Sequence, residues 1–288
     1  MTSEHEDYRE DYHELINDGG RGYVDISLVP RPSPRWDEEL EIWKTTRRPI
    51  RGRYYRLFQE QLFRWYSFRK WQRDQRGDED DDSRFLEHAK SMQHRLAEHG
   101  FTRSFQLSRN PRKQDRLTTW IEYIGYECWT ADNHAKKVKD EEAAYEQYFQ
   151  DKLRSTDIVD HSVTKESLRL PGALAKYKAE YIDAMQTLAL VGREMGRGKV
   201  STADNERSLT ALGNYEERRD LVFKIERFLR ETDSYHFATV LAARNLKIVE
   251  WAIKEVPKVE AEMVVLSGRA RNARRDRDTS NIDQGSIR

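Results

Sequence analysis

The residues best suited to chemistry lie in a basic, aromatic-rich segment between Arg47 and Arg76. It contains ten arginines or lysines, two acidic residues and eight aromatic residues. Cationic side chains neutralise phosphate and aromatic rings stack on bases, so this composition is typical of a surface that binds single-stranded nucleic acid. The alternative is internal packing, in which arginine stems cover the rings and the acidic run 78–82 pairs with the cations. The candidate nucleic-acid contacts are Arg47, Arg48, Arg51, Arg53, Arg64, Arg69, Trp65 and Trp71, with Arg274 and Arg275 of an arginine-rich tail.

The catalytic and metal-binding templates are incomplete in this sequence. The glycines around residue 196 do not match a phosphate-binding loop, because Lys199 is followed by Val200 where Ser or Thr is required. The eight histidines contain no HExxH pair. The lone Cys128 cannot form an internal disulfide and is expected to act as a small hydrophobe. We therefore predict no enzymatic activity, no catalytic or metal-binding residues and no cofactor.

Composition limits the class of protein further. The 288 residues carry 51 basic and 51 acidic side chains, so the formal net charge is zero, and only 37% of residues are hydrophobic. Mean hydropathy is −0.97. The acidic N-terminus has no apolar signal segment, and no stretch of about 20 apolar residues occurs. The sequence therefore predicts an intracellular protein, in the cytoplasm or nucleus, that does not enter a membrane.

Apolar residues recur every three or four positions through most of the chain, which predicts α-helices and no sheet. One such pattern ends at Gly100, as expected for a residue that follows a helix C-terminus. The longest pattern is a heptad seam from Leu117 to Phe149, typical of a coiled-coil-like helix. Later patterns cover 174–195, 208–231 and 234–256, and Pro257 is expected to bend or end the last helix. The predicted interaction seam consists of Leu117, Ile121, Ile124, Cys128, Tyr145 and Phe149.

These patterns predict four regions along the chain. Residues 1–35 form a disordered acidic and proline-rich arm, and residues 36–154 form an aromatic-rich helical region with the long heptad helix. Residues 155–267 form a helical bundle or coiled-coil region, and residues 268–288 form a basic disordered tail. The predicted fold class is all-α, an elongated antiparallel helical bundle whose seams pair with other helices of the chain or with a second copy.

Two segments resemble a known group of proteins. The first runs from Arg116 through Tyr123 to Trp129, and the second runs from Ile248 to Glu260. They resemble segments that recur in a large group of uncharacterised helical proteins from filamentous fungi. Together with the preceding aromatic-rich helix, the resemblance covers most of residues 36–266. It implies a fungal, intracellular, helical protein and transfers no functional residues.

Two functions follow as hypotheses. The first is a non-enzymatic intracellular scaffold or protein–protein interaction protein, built on coiled-coil-like helices, that binds a protein partner or forms a homodimer. In that case charged residues at positions 117, 121 and 124 should abolish partner binding. The alternative is a nucleic-acid-associated protein that uses residues 47–76 and the arginine-rich tail. In that case neutralising four or so of the arginines should weaken binding by ~10- to 100-fold.

Overall fold

A computed structural model of the protein describes residues 3–28, 43, 57–77, 82–153, 163–196 and 201–284. These residues form seven α-helices and three short 3-10 turns, and no strand occurs among them. The all-α prediction is therefore confirmed. Of the predicted aromatic-rich helical region, residues 36–42 and 44–56 lie outside the described residues. The helices are α1 (Ser3–Asn17), α2 (Leu57–Arg76), α3 (Asp82–Glu98), α4 (Arg116–Lys152), α5 (Ala173–Met195), α6 (Thr202–Glu231) and α7 (Asp233–Gln284).

The chain divides into two compact units that differ from the predicted regions. Unit 1 consists of Met1–Asn133 with Leu241–Arg288, and unit 2 consists of His134–Val240. The predicted boundary between residues 154 and 155 does not coincide with either limit. The reason is that the second half of α7 packs into the core formed by the first helices. Apolar periodicity shows which face of a helix is buried, but it does not show which helix covers that face.

Unit 1 has an aromatic core between α2, α4 and α7. The ring of Tyr123 lies 5.3 Å from that of Trp65 and 5.4 Å from that of Phe68, measured between centroids. Trp120 donates a hydrogen bond from Nε1 to the carbonyl oxygen of Ala252 at 2.9 Å, so its polar atom is satisfied inside the core. Edge and tilted ring contacts of this kind add about 0.5–1.5 kcal/mol each beyond the burial of area. Large aromatic rings thus supply much of the buried area in a chain of which only 37% is hydrophobic.

Two glycines fix the position and the end of α3. A Cβ atom at Gly125 would lie 2.9 Å from Cγ of Met92, so the glycine allows α3 and α4 to approach closely. Gly100 has φ of 80°, and its N–H donates to the carbonyl of Ala97. The N–H of Phe101 donates to the carbonyl of Leu96, which completes a Schellman motif. The predicted helix end at Gly100 is confirmed.

The N-terminal segment differs from the predicted disordered arm. Residues Ser3–Asn17 form helix α1, in which Tyr8 and Leu15 are buried. Asp18 accepts hydrogen bonds from Nε1 of Trp65 at 2.6 Å and from Nε of Arg69 at 2.9 Å. The acidic composition suggested a solvated arm, but Asp18, directly after α1, is the partner of Arg69 on α2. Of the predicted arm, residues 29–35 lie outside the described part of the chain.

In unit 2, α5 and α6 form an antiparallel hairpin. Glu180 pairs with Arg218 at 2.9 Å, whereas Glu194, further along α5, pairs with Arg207, which comes earlier in α6. The opposite order of the partners along the two helices shows that they run in opposite directions. The end of α4 and the 3-10 turn before α5 complete the core. Its buried residues are Tyr145, Phe149, Leu153, Leu168, Leu221, Ile225 and Phe228.

Helix α7 passes through Pro257, where the sequence predicted a bend or an end. Proline removes one backbone donor from a helix and usually interrupts it. Here Val256 and Val259, on either side, are both buried in the core of unit 1, and their packing holds this part of the chain helical. The bounds of α7 extend to Gln284, beyond the start of the predicted basic tail at residue 268, and side chains are described as far as Val265.

Candidate functional site

The first group of chemically capable side chains surrounds the carboxylate of Glu122 in the core of unit 1. Its two oxygens accept hydrogen bonds from Nη1 and Nη2 of Arg76, with 2.8 Å between Nη2 and Oε2. Gln72 and Gln114 donate to Oε2 at 2.6 and 2.8 Å. His88 Nε2 lies 3.4 Å from Oε1. The Glu122 side chain is 0% exposed, so α2, α3 and α4 enclose it completely. We call these five residues the Glu122 cluster.

Every polar group of the Arg76 guanidinium has a partner as well. It donates to the carbonyl oxygens of Gln72 and Ser108 at 2.9 and 3.1 Å and to Oε1 of Gln114 at 3.1 Å. Burial alone raises the pKa of Glu122, but hydrogen bonds from His88 and Arg76 and the charge of Arg76 lower it to about 2. The carboxylate is therefore ionised at neutral pH and does not serve as a proton donor there.

A second buried ion pair lies further along α4. Arg64 Nε is 3.2 Å from Oε1 of Glu127, and Nη2 contacts Oε2. The same Nη2 donates to Oδ1 of Asn245 at 3.1 Å, which connects the pair to α7. Burial and the charge of Arg64 lower the pKa of Arg244 to about 10, while Glu127 opposes this decrease. At neutral pH both arginines remain cationic.

The arrangement of these pairs suits the joining of helices. Each carboxylate projects from α4 and binds an arginine of α2. Additional hydrogen-bond contacts restrict the positions of the side chains in each pair. A cavity in the same core has a volume of about 10 Å³, which is room for roughly one water molecule. Its lining residues are Leu15, Arg21, Gln61, Trp65, Trp120, Tyr123 and Trp251, so neither carboxylate borders it.

The structure places the described part of the basic, aromatic-rich segment largely inside unit 1. Trp65 and Trp71 are buried, and Arg64 is engaged by Glu127. Arg69 pairs with Asp18, and its guanidinium lies 5.2 Å from the ring centroid of Trp65. Internal packing therefore accounts for these four candidates. Of the other candidates, Arg47, Arg48, Arg51 and Arg53 lie outside the described residues, as do the side chains of Arg274 and Arg275.

The predicted interaction seam of α4 is split between two separate cores. Ile121, Ile124 and Cys128 are buried in unit 1, and Leu117 packs against the same cluster. Tyr145 and Phe149 are buried in unit 2. Between them, residues 135–142 are exposed or only partly buried. The heptad spacing identified the buried residues correctly. It treated them as one continuous face, whereas different helices of this chain cover the two halves of α4. The six seam residues are thus occupied within the chain.

Cys128 and His99 are held in ordinary protein environments. Burial, and then the charges of Asp132 and Glu127, raise the pKa of the Cys128 thiol to about 12, so it is protonated and unreactive at neutral pH. His99 Nε2 lies 2.9 Å from Oδ1 of Asp132. Within the described residues, no group of three or more histidine, cysteine or acidic side chains is arranged to hold a metal ion.

Sequence reasoning missed a second apolar face on α5. The face toward α6 contains the predicted stripe, including buried Ala184 and Val191. On the opposite side Ile182, Met185 and Leu190 are 45%, 43% and 52% exposed. The sequence signal that could have revealed this second face is an apolar residue at nearly every turn of the helix, outside the predicted stripe. We call this surface the α5 outer face; it comprises Ala175, Ala179, Ile182, Gln186, Ala189, Leu190 and Arg193, with Met185 on its flank, all of them exposed.

Comparison with known proteins adds no family assignment. No family model matches the chain, and neither a curated protein nor a solved structure is significantly similar to it. Membership of the fungal group therefore stays a prediction. Among the described helices, none has an apolar stretch long enough to span a membrane.

Proposed function

We propose that this protein is a non-enzymatic helical interaction protein that binds a protein partner through the α5 outer face. The observation that carries the proposal is the exposure of Ile182, Met185 and Leu190 on one side of a helix whose other side is already packed. Contiguous apolar surface of this kind marks interaction sites more often than isolated exposed residues do. The proposal moves the binding surface from the predicted seam of α4 to α5.

The energetics of the α5 outer face support binding. Complete burial of one large apolar side chain contributes about 1.5–3 kcal/mol, and these three side chains are close to half exposed. A partner that covers them gains part of that free energy at each position. The hairpin is already ordered by apolar packing of α5, with Ala184 and Val191 buried, so α5 loses little conformational freedom on binding.

Site-specific photo-crosslinking tests the proposal. A benzophenone amino acid is placed at position 182 or 190 of the full chain, and at position 216 as the control, in cells that produce the protein. Glu216 is exposed on α6. We expect discrete crosslinked products, identified by mass spectrometry, from positions 182 and 190 and none from 216.

A second variant separates specific binding from non-specific hydrophobic association. Leu190→Asp should remove the product formed from position 182, because a charge on the apolar face opposes its burial. The same product from position 216, or a product at 182 that Leu190→Asp leaves unchanged, would contradict a binding role for the α5 outer face.

A further inference from the structure

The α5 outer face has a pattern that is complementary to itself. On a helix with about 100° per residue, Ile182 and Ala189 lie about 20° apart on one edge of the face. Ala179 and Leu190 lie about 20° apart on the other edge. Each edge therefore carries one large and one small apolar residue. The large residue is nearer the N-terminus on one edge and nearer the C-terminus on the other.

This pattern has a consequence for two antiparallel copies of α5. A two-fold axis perpendicular to the helices places each edge against the same edge of the second copy, because an isologous contact uses the same patch twice. If the axis passes near residue 185, Ile182 lies opposite Ala189 of the second copy and Leu190 lies opposite Ala179. Large side chains then meet small ones at all four contacts, which allows close packing without a cavity.

The charges at the ends of α5 agree with the same axis. Lys176 and Glu194 lie at about the same angle around the helix, and the midpoint between them is also residue 185. Two antiparallel copies thus place Lys176 of each copy near Glu194 of the other, one ion pair at each end of a contact about 27 Å long. Both side chains are exposed, and Glu194 is 49% exposed despite its contact with Arg207.

The centre of the face contributes a polar residue. Gln186 lies within about 20° of the middle of the face and one position from the midpoint at 185. Two copies therefore bring their Gln186 amides together, where each can donate a hydrogen bond to the other. A central polar pair fixes the register of paired helices, because any shift leaves the amides unpaired against apolar side chains.

We propose that the partner of the α5 outer face is a second copy of this chain, bound through an antiparallel α5–α5 contact centred near residue 185. This inference rests on the proposed function and names its partner. Three sets of residues give midpoints within one residue of each other: the Ile182 and Ala189 edge, the Ala179 and Leu190 edge, and the terminal pair Lys176 and Glu194. One pair of helices buries an area at the low end for stable interfaces, so the dimer should be concentration-dependent.

Sedimentation equilibrium of the full chain tests the association and its register. The wild-type protein should show a monomer–dimer equilibrium, and Ile182→Asp should shift it to monomer. Leu86→Asp is the matched control, because Leu86 is also exposed, at 56%, but lies on α3. Lys176→Glu should weaken the dimer, because it places a carboxylate near Glu194 of the second copy.

Disulfide trapping tests the geometry directly. The natural thiol of Cys128 is 0% exposed, so an introduced cysteine is the only one available in the folded protein. Gln186→Cys should form a covalent dimer under mild oxidation. Thr187→Cys, one residue further along and about 100° around the helix, should not.

The outcomes separate this inference from the proposed function. A monomer at all concentrations, with no covalent dimer from Gln186→Cys, overturns the second copy as partner. Crosslinks to a different protein from positions 182 and 190 would then leave the proposed function in place. A dimer that persists in Ile182→Asp, or that forms equally through position 187, uses another surface and likewise overturns the inference.

Discussion

The two units of the molecule use charge in different ways. In unit 1 the carboxylates of Glu122 and Glu127 are fully buried, and each is bound by an arginine. In unit 2 the ion pairs of the α5–α6 hairpin, such as Glu180 with Arg218, have both side chains more than a third exposed. A buried ion pair needs protein hydrogen-bond partners for all its polar atoms, because water does not reach it. An exposed pair remains hydrated.

This difference determines which residues specify the fold. In unit 1, loss of one partner leaves a charge without solvent or counterion, so the position of every partner matters. In unit 2, the hydrophobic cluster around Phe228 provides the stability and the ion pairs contribute little. Unit 1 thus combines buried ion pairs with an aromatic core, whereas the exposed ion pairs of unit 2 add little to its apolar packing.

The largest effect is expected from Glu122→Gln. The amide keeps the shape of the side chain but leaves the buried Arg76 guanidinium without its counterion, so the free energy of unfolding should fall by about 3–5 kcal/mol. Chemical denaturation followed by circular dichroism measures this loss. Glu180→Gln in unit 2 is the control and should cost at most about 1 kcal/mol. Equal losses in the two variants would remove the contrast between the units.

The Glu122–Arg76 ion pair also predicts how the free energy of unfolding depends on pH. The pKa of Glu122 is lowered from its ordinary value of 4.5 to about 2. Its stabilising contribution is therefore complete above pH 4.5 and is lost as the pH falls toward 2. A shift of this size corresponds to about 3 kcal/mol. The difference in stability between wild type and Glu122→Gln should shrink across this range. A difference that stays constant from pH 6 to 3 would show that Glu122 is not held ionised.

A matched pair of smaller substitutions asks whether each unit opens separately. Ile124 in unit 1 and Ile225 in unit 2 are both 0% exposed, and Ile→Val at either position should cost about 0.5–1.5 kcal/mol. Cys128 reports the opening of unit 1, because its thiol reacts only when that core is exposed. Labelling with a thiol reagent should be about 2- to 10-fold faster in Ile124→Val and unchanged in Ile225→Val. Equal acceleration by both would show one cooperative unit.

Much of the helical structure was predictable from local pattern. Phe58, Leu62, Trp65 and Phe68 recur every three or four positions along α2 and are buried, because a periodicity of 3.6 requires only that some neighbour covers the face. Gly100 ends α3 as predicted, since its positive φ is a local requirement. The heptad spacing of α4 identified buried residues for the same reason. These features depend on a few consecutive residues and need no knowledge of the fold.

The remaining features depend on contacts between distant positions. Arg76 and Glu122 are 46 residues apart in sequence, and Arg64 and Asn245 are 181 apart, so no local pattern reveals either contact. The acids of the N-terminal segment and the cations of α2 each suggested a solvated or ligand-binding surface, although Asp18 and Arg69 are partners. The α5 outer face was visible as apolar residues outside the main stripe, but its exposure depends on which face α6 covers.

The smallest expected effect is the coupling between Glu180 and Arg218 in unit 2. A double-mutant cycle with Glu180→Gln and Arg218→Gln should give a coupling free energy of about 0.2–1 kcal/mol, decreasing as salt is added. Both side chains retain water, so formation of the pair replaces hydration that each already has, and ordering two long side chains opposes the gain. A coupling above about 2 kcal/mol would mean that this exposed pair behaves like the buried pairs of unit 1. Burial would then not be what distinguishes the two units, and the polar contacts of the hairpin would specify its fold as those around Glu122 specify unit 1.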